Sequence, residues 1–90
     1  MVNVEVVFFA HLRELAGASE KTVTLKDGAR VDDLIEVLSA EYGPALRGEI
    51  VENEGMRVFI SGREFWLEDG RQEALAAGDK VVFLYPFVGG

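Results

Sequence analysis

One amphipathic helix among segments of strand-like composition constrains the fold of this chain more than any other feature. Its apolar residues recur at the spacing of a single helical stripe: Val31, Leu34, Ile35, Leu38 and Tyr42. Asp32 and Asp33 suit the positive end of the helix dipole, and Gly43-Pro44 provides a stop signal. The sequence therefore predicts one main helix, followed by an acidic loop over residues 48–55.

Five other segments have the β-branched and aromatic composition of strands. They cover residues 2–9, 22–25, 56–60, 64–67 and 80–85. A short helical segment at residues 10–16, closed by Gly17, separates the first two strands. The resulting order is β, β, α, β, β, β, which leaves one helix to cover one face of a mixed sheet. We therefore predict an α+β fold of the ubiquitin-like β-grasp type, with about five strands and the main helix packed on one face.

The composition excludes several classes of function. The chain has no cysteine and one histidine, so neither a disulfide nor a metal site is expected. Its formal net charge of −7 argues against nucleic acid and anionic lipid as partners and favours a basic protein surface. Ninety residues suffice for one small domain, residues 1–90, and no apolar run could span a membrane. Because the first residues lack a basic leader, we expect a cytoplasmic protein.

The last ten residues carry no charged side chain, although a segment that only floats in water should be polar. Pro86 should end the final strand, which makes residues 86–90 an extended tail. Phe87 and Val88 then have no obvious core to enter and are expected to contact a groove on a partner. Gly89 and Gly90 lack a Cβ, so they could pass a narrow channel and deliver a terminal carboxylate to an active site. A frayed terminus is the competing interpretation.

Motifs at both ends of the chain point to one family. They are Phe8-Phe9-Ala10-His11-Leu12-Arg13-Glu14, Ser61-Gly62-Arg63, Gly78-Asp79-Lys80-Val81 and Gly89-Gly90. Together with the predicted order of strands, they resemble the MoaD family, the small subunits of molybdopterin synthase and their archaeal and bacterial relatives. The likeness covers essentially the whole chain. Tyr85 stands where relatives usually have the first of two prolines, so one φ constraint on the tail is lost.

What the resemblance implies is a ubiquitin-like sulfur carrier with no catalytic side chain of its own. An E1-like adenylyltransferase (MoeB-like) would use ATP to adenylate the carboxylate of Gly90, and a persulfide sulfur donor would convert it to a thiocarboxylate. The tail, with Gly89 and Gly90 at its end, would then enter the large subunit of molybdopterin synthase (MoaE-like). There it would donate sulfur on the way to molybdenum or tungsten cofactor, and the carrier itself would bind no cofactor.

The family likeness also implies a partner-binding surface. Phe9, Leu84 and Phe65 would lie on the sheet face that the helix leaves open, and tail residues 86–88 would contact the same partners. For Phe9 and Leu84, burial in the core is the competing interpretation, because large apolar residues are usually buried. Trp66 is assigned to core packing.

The same terminal chemistry is compatible with other functions. An activated Gly90 captured by a lysine would make the chain a ubiquitin-like protein modifier, and sulfur donation to tRNA thiolation or thiamin synthesis is a further branch. A third class is a β-grasp module that binds partners without using its terminus chemically. Residues added after Gly90 would be tolerated only by that third class, because in the others they remove the carboxylate from the reaction centre.

Overall fold

A single mixed sheet organises the protein in the computed structural model, which describes residues 1–86. Its strands are β1 (Val2–Val7), β2 (Glu20–Leu25), β3 (Arg57–Ile60), β4 (Arg63–Trp66) and β5 (Lys80–Leu84). The helices are α1 (Ala10–Ala16), α2 (Val31–Tyr42), α3 (Pro44–Val51) and α4 (Leu67–Gly70). Strand and main-helix order match the predicted pattern, and α1 lies between β1 and β2 as expected.

The spatial order of the strands is β2-β1-β5-β3-β4. Strands β1 and β5 run parallel next to each other, and every other pair is antiparallel. The last described strand therefore lies inside the sheet, between β1 and β3. This arrangement confirms the predicted α+β, ubiquitin-like β-grasp fold.

Helix α2 forms where its apolar stripe predicts. Val31, Leu34, Ile35 and Leu38 are all buried, because they fall on one side of the helix. The helix begins with a hydrogen bond of 2.8 Å from the backbone N–H of Arg30 to the Asp33 carboxylate. Within residues 1–86, no helix has the length and apolar character that a membrane crossing requires.

The expected loop at residues 48–55 is wrong in its first half, because α3 continues to Val51. Pro44 ends α2 but also occupies the first turn of α3, where its fixed φ and missing N–H cost nothing. Leu46 and Ile50, four residues apart, bury themselves on one side of α3. The acidic composition of this segment led the sequence analysis to miss the helix, because only two of its residues, Leu46 and Ile50, are fully buried.

The core lies between the helices and one face of the sheet. Alternate residues of each inner strand point into it, since side chains alternate between the faces of a sheet: Val4 and Val6 of β1, Val58 and Ile60 of β3, and Val81 and Phe83 of β5. No polar or charged residue between positions 1 and 86 is classed as buried. The helix layer thus covers one side of the sheet and leaves the other for contacts outside the domain.

Candidate functional site

The sheet face opposite the helices, called here the open face, carries a cluster of apolar side chains. Val7, Phe59, Val82 and Leu84 are half-buried on it, and Trp66 is 60 % exposed. These five residues, the apolar patch, share this face because the residues that alternate with them point into the core. Exposed apolar side chains in contact with one another are typical of a protein-binding surface.

Strand register places the patch beside the end of β5. Val82 lies between Val7 of β1 and Phe59 of β3, so three strands contribute to one apolar row. In the next row, Arg57 lies between Leu84 of β5 and Trp66 of β4. The patch therefore extends across the sheet from β1 to β4 at the end from which the chain leaves β5.

Phe9 extends the apolar surface beyond the end of β1. Phe8 is buried and Phe9 is 46 % exposed, so the alternation of β1 continues for two residues after the strand ends. The backbone at Phe9 is still extended, with φ −121° and ψ 159°, before α1 begins. Neither Phe9 nor Leu84 is fully buried in the core: Phe9 is exposed and Leu84 is half-buried on the open face, and their predicted role in partner binding stays a prediction.

Two aromatic residues of β4 lie on the opposite sides to those expected. Phe65 pairs with the buried Val58 and packs against the core, so it does not belong to the open face. Trp66 pairs with Arg57 and projects outward from this edge strand. The predicted positions of Phe65 and Trp66 were exchanged for one physical reason. Strand β4 begins at Arg63 and pairs antiparallel with β3, and this register decides which of the two aromatic residues points inward.

Charged side chains border and interrupt the apolar patch. Arg57 donates a hydrogen bond of 2.7 Å to the Glu64 carboxylate across β3 and β4, and both side chains are partly exposed. At the other end of the open face, Glu5 lies opposite Lys80 in register. Glu5 and Lys80 thus lie at one edge of the patch, whereas the Arg57–Glu64 pair interrupts it between Leu84 and Trp66.

The root of the tail, Tyr85 and Pro86, is the last part of the chain that the structure describes. Tyr85 is half-buried and packs against the core, whereas Pro86 lines a depression of about 260 Å³ together with Gly55, Arg57 and Trp66. Phe87, Val88, Gly89 and Gly90 lie outside the described residues. The predicted roles of these four residues are therefore untested by the geometry.

The hydroxyl of Tyr85 is buried and has no hydrogen-bond partner among residues 1–86. Burial raises the pKa of this phenol above its usual value, and the carboxylate of Glu49 on α3 acts in the same direction. Because the proton of this phenol is not released at physiological pH, Tyr85 does not act there as an acid or base, and its ring packs against the core.

Metal binding has no support in the described part of the chain. Between residues 1 and 86, no three side chains of the His, Asp or Glu type lie close enough together to hold an ion. What the arrangement presents is a partly exposed apolar surface next to the end of β5.

Sequence reasoning missed Val7, Phe59 and Val82 as members of the open face. The available signal was the alternation of β1, β3 and β5, in which these residues are the neighbours of buried positions. Since all three strands are apolar on both faces, composition alone did not distinguish the inner face from the outer one.

Comparison with known proteins identifies the family. The model of the ThiS family matches residues 6–90. The molybdopterin synthase sulfur carrier subunit of Chlamydomonas reinhardtii is 35% identical over 99% of this chain and 100% of that protein. Small archaeal modifier protein 3 of Haloferax volcanii is 34% identical over the same shares of both chains.

A solved structure agrees with both the fold and the family. The putative molybdopterin converting factor, subunit 1, from Pyrococcus furiosus superposes with a TM-score of 0.76 at 30% identity, over 97% of this chain and 100% of that one. Members of this family are small carrier proteins rather than catalysts. The chain therefore belongs to the ThiS family, as a ubiquitin-like sulfur carrier related to the MoaD proteins.

Proposed function

We propose that this protein is the sulfur-carrying small subunit of a molybdopterin synthase. The observation that carries the proposal is the course of β5, which leads from the centre of the sheet, past the apolar patch, into Tyr85-Pro86 and the Gly89-Gly90 end. A partner that docks on the open face would thus be next to the root of the reactive tail. The full-length match to the molybdopterin synthase sulfur carrier subunit of Chlamydomonas supports this assignment.

The proposed chemistry takes place on the carboxylate of Gly90. That carboxylate attacks the α-phosphate of ATP held by an E1-like partner, and pyrophosphate leaves to give an acyl adenylate. The terminal sulfur of a persulfide attacks the acyl carbon, AMP departs and an acyl disulfide forms. A second thiol then attacks the sulfur of that disulfide that belongs to the donor. This releases the thiocarboxylate and leaves a new disulfide on the donor. Each step needs the tail, because the chain has no cysteine of its own.

Two partners would use the open face in turn. The E1-like adenylyltransferase (MoeB-like) would bind the free carboxylate, and the large synthase subunit (MoaE-like) would bind the thiocarboxylate. Both would contact the apolar patch and Phe9, with tail residues Pro86, Phe87 and Val88 leading into their active sites. In this scheme the carrier binds no cofactor, and ATP belongs to the partner.

The test is an intact-mass spectrum after incubation with the E1-like enzyme of the same host, ATP and a persulfide donor. We expect a mass gain equal to the exchange of one oxygen for sulfur, mapped to Gly90 by fragmentation. A matched control carries one alanine after Gly90 and should show no gain, because its carboxylate lies one residue beyond the reaction centre. An unchanged mass for the original chain, with an E1-like enzyme proven active on another carrier, would overturn the proposal.

A second candidate is a protein modifier, favoured by the 34% identity to small archaeal modifier protein 3. Here the same acyl adenylate would be attacked by a lysine amine, with AMP leaving and an isopeptide bond forming. Deletion of Gly90 in the host separates the two functions. Loss of molybdenum- or tungsten-enzyme activity supports the synthase subunit, whereas loss of covalent adducts on target lysines supports the modifier.

A further inference from the structure

The backbone at Gly55 lies against the root of the tail. Gly55 has a φ of +81°, and a Cβ added to it would lie 3.3 Å from both Cβ and Cγ of Pro86. That separation is shorter than ordinary van der Waals contact, so Pro86 would have to shift by a few tenths of an ångström. A loop thirty-one positions earlier in the chain therefore limits where the ring of Pro86 can lie.

This contact is not a general property of glycine turns in the fold. Five other glycines in the described chain have a positive φ, and a Cβ on any of them would meet nothing within 4 Å: Gly17, Gly28, Gly43, Gly62 and Gly78. A need for positive φ explains those positions. At Gly55 a second requirement is added, since the missing side chain leaves the room that Pro86 occupies.

The other residue of the tail root, Tyr85, packs on the opposite side of the sheet. Leu84 points to the open face, and Tyr85, the next residue, packs against the core with its hydroxyl buried. The two residues of the tail root are thus fixed in different directions: Tyr85 toward the helix layer, and Pro86 against Gly55 near Trp66.

We propose that the contact of Gly55 with Pro86 and the packing of Tyr85 against the core together clamp the tail root and set the direction in which the chain leaves Pro86. The inference rests on the proposed function, because direction matters only if the terminal carboxylate must reach a partner's active site. Four residues follow Pro86, which is a reach of about 14 Å when extended. A change of direction at the root is therefore amplified at Gly90, where a misplacement of about 1 Å can lower a rate a hundredfold.

The experiment compares Gly55→Ala with Gly28→Ala. The two glycines have nearly the same φ, +81° and +83°, but only the Cβ at position 55 meets Pro86. Both variants should show similar losses of thermal stability, because both strain the backbone. We expect kcat/KM for adenylation by the E1-like enzyme to fall about tenfold or more in Gly55→Ala, mainly in kcat, and by less than about twofold in Gly28→Ala.

A double-mutant cycle shows whether Gly55 acts through Pro86. Pro86→Gly removes both ring atoms that the new Cβ would meet. If the clamp is real, Gly55→Ala should have no further effect on adenylation in a Pro86→Gly background. An equal loss in both backgrounds would overturn the proposal, because Gly55 would then act on something other than the tail.

A structural measurement separates this inference from the proposed function. The chain has no cysteine, so spin labels can be attached to cysteines introduced at Lys26 and Val88. Gly55→Ala should shift or broaden the distance distribution between the labels, and Gly28→Ala should not. An unchanged distribution contradicts the clamp even if thiocarboxylate forms, whereas a shifted distribution in a chain that forms no thiocarboxylate supports the clamp and contradicts only the proposed function.

Discussion

At the scale of single residues, the buried hydroxyl of Tyr85 is the least expected feature. Burying a polar group without a hydrogen-bond partner costs free energy, so such groups are rare in the interior of a native protein. Here the hydroxyl belongs to the tail root, and no group among residues 1–86 has hydrogen-bonding geometry to it, although the Glu49 carboxylate and the Leu12 backbone lie nearby. The benefit of the residue therefore comes from its ring, which packs against the core.

The variant Tyr85→Phe tests this view of the hydroxyl. It keeps the ring and removes the unpartnered group, so the free energy of unfolding at pH 7 should stay the same or rise by about 1 kcal/mol. Urea denaturation followed by circular dichroism measures it. A clear loss of stability would show that the hydroxyl has a bonding partner in the folded protein.

Alkaline pH gives a second readout of the same residue. The pKa of Tyr85 is raised above its unfolded value of 10.0 by burial and by Glu49. The unfolded chain thus releases the proton first, so the stabilisation linked to Tyr85 is complete below pH 10 and is lost as the pH rises above it. Tyr85→Phe should weaken the decline of stability between pH 10 and 11 more than Tyr42→Phe does, because burial raises the pKa of Tyr42 as well, but by less than that of Tyr85.

At the scale of elements, two helical glycines have opposite packing environments. A Cβ on Gly70 in α4 would lie 2.4 Å from Val58 Cγ1 and 3.0 Å from Phe65 Cβ. A Cβ on Gly48 in α3 would meet only the flexible end of Glu52 at 3.0 Å. Close packing of α4 on β3 and β4 therefore depends on Gly70, and it also helps to fix Phe65 on the inner face.

This contrast predicts opposite effects for the same substitution. Gly70→Ala should destabilise the protein by about 1–3 kcal/mol, because it overpacks a filled core. Gly48→Ala should stabilise it by about 0.5–1 kcal/mol, because alanine is the better helix former. Thermal unfolding of both variants checks the prediction, and equal effects would mean that α4 packs less tightly than described.

Elements also show where sequence reasoning succeeds. The stripe of α2 and the β-branched runs of β1 and β5 were predictable because local periodicity and composition agree with tertiary packing. Helix α3 was not, since Arg47, Gly48 and Glu49 separate its two buried residues and no longer apolar stripe marks it. The inward choice of Phe65 over Trp66 depends on the pairing of β4 with β3, which the order of residues in β4 alone does not specify.

At the scale of the whole molecule, an acidic domain presents one apolar surface beside its tail. The formal net charge is −7, yet the centre of the open face carries Val7, Phe59 and Val82. The sequence indicated that such a face exists, because one helix layer can cover only one side of the sheet. Which residues lie on the open face could not be deduced in full from the sequence, because that depends on the register of four strands.

Removal of exposed aromatic side chains should therefore affect binding more than folding. Trp66→Ala and Phe9→Ala should each weaken binding to the E1-like enzyme by about 2 kcal/mol, or roughly 30-fold in Kd, as buried aromatic anchors do in interfaces. Isothermal titration calorimetry measures this, with Thr22→Ala on the same face but outside the patch as the control. Unchanged affinity in both aromatic variants would mean that partners dock elsewhere.

The parallel pairing of β1 with β5, described above as topology, also has a mechanical consequence. A partner that draws the tail into its active site pulls along the axis of β5. Strand β5 is hydrogen-bonded to β1 on one side and to β3 on the other. A force along its axis therefore loads both rows of backbone hydrogen bonds in shear, all at once, instead of opening them one at a time. Under the proposed function, the chain would thus withstand tension on its tail while the open face keeps its shape.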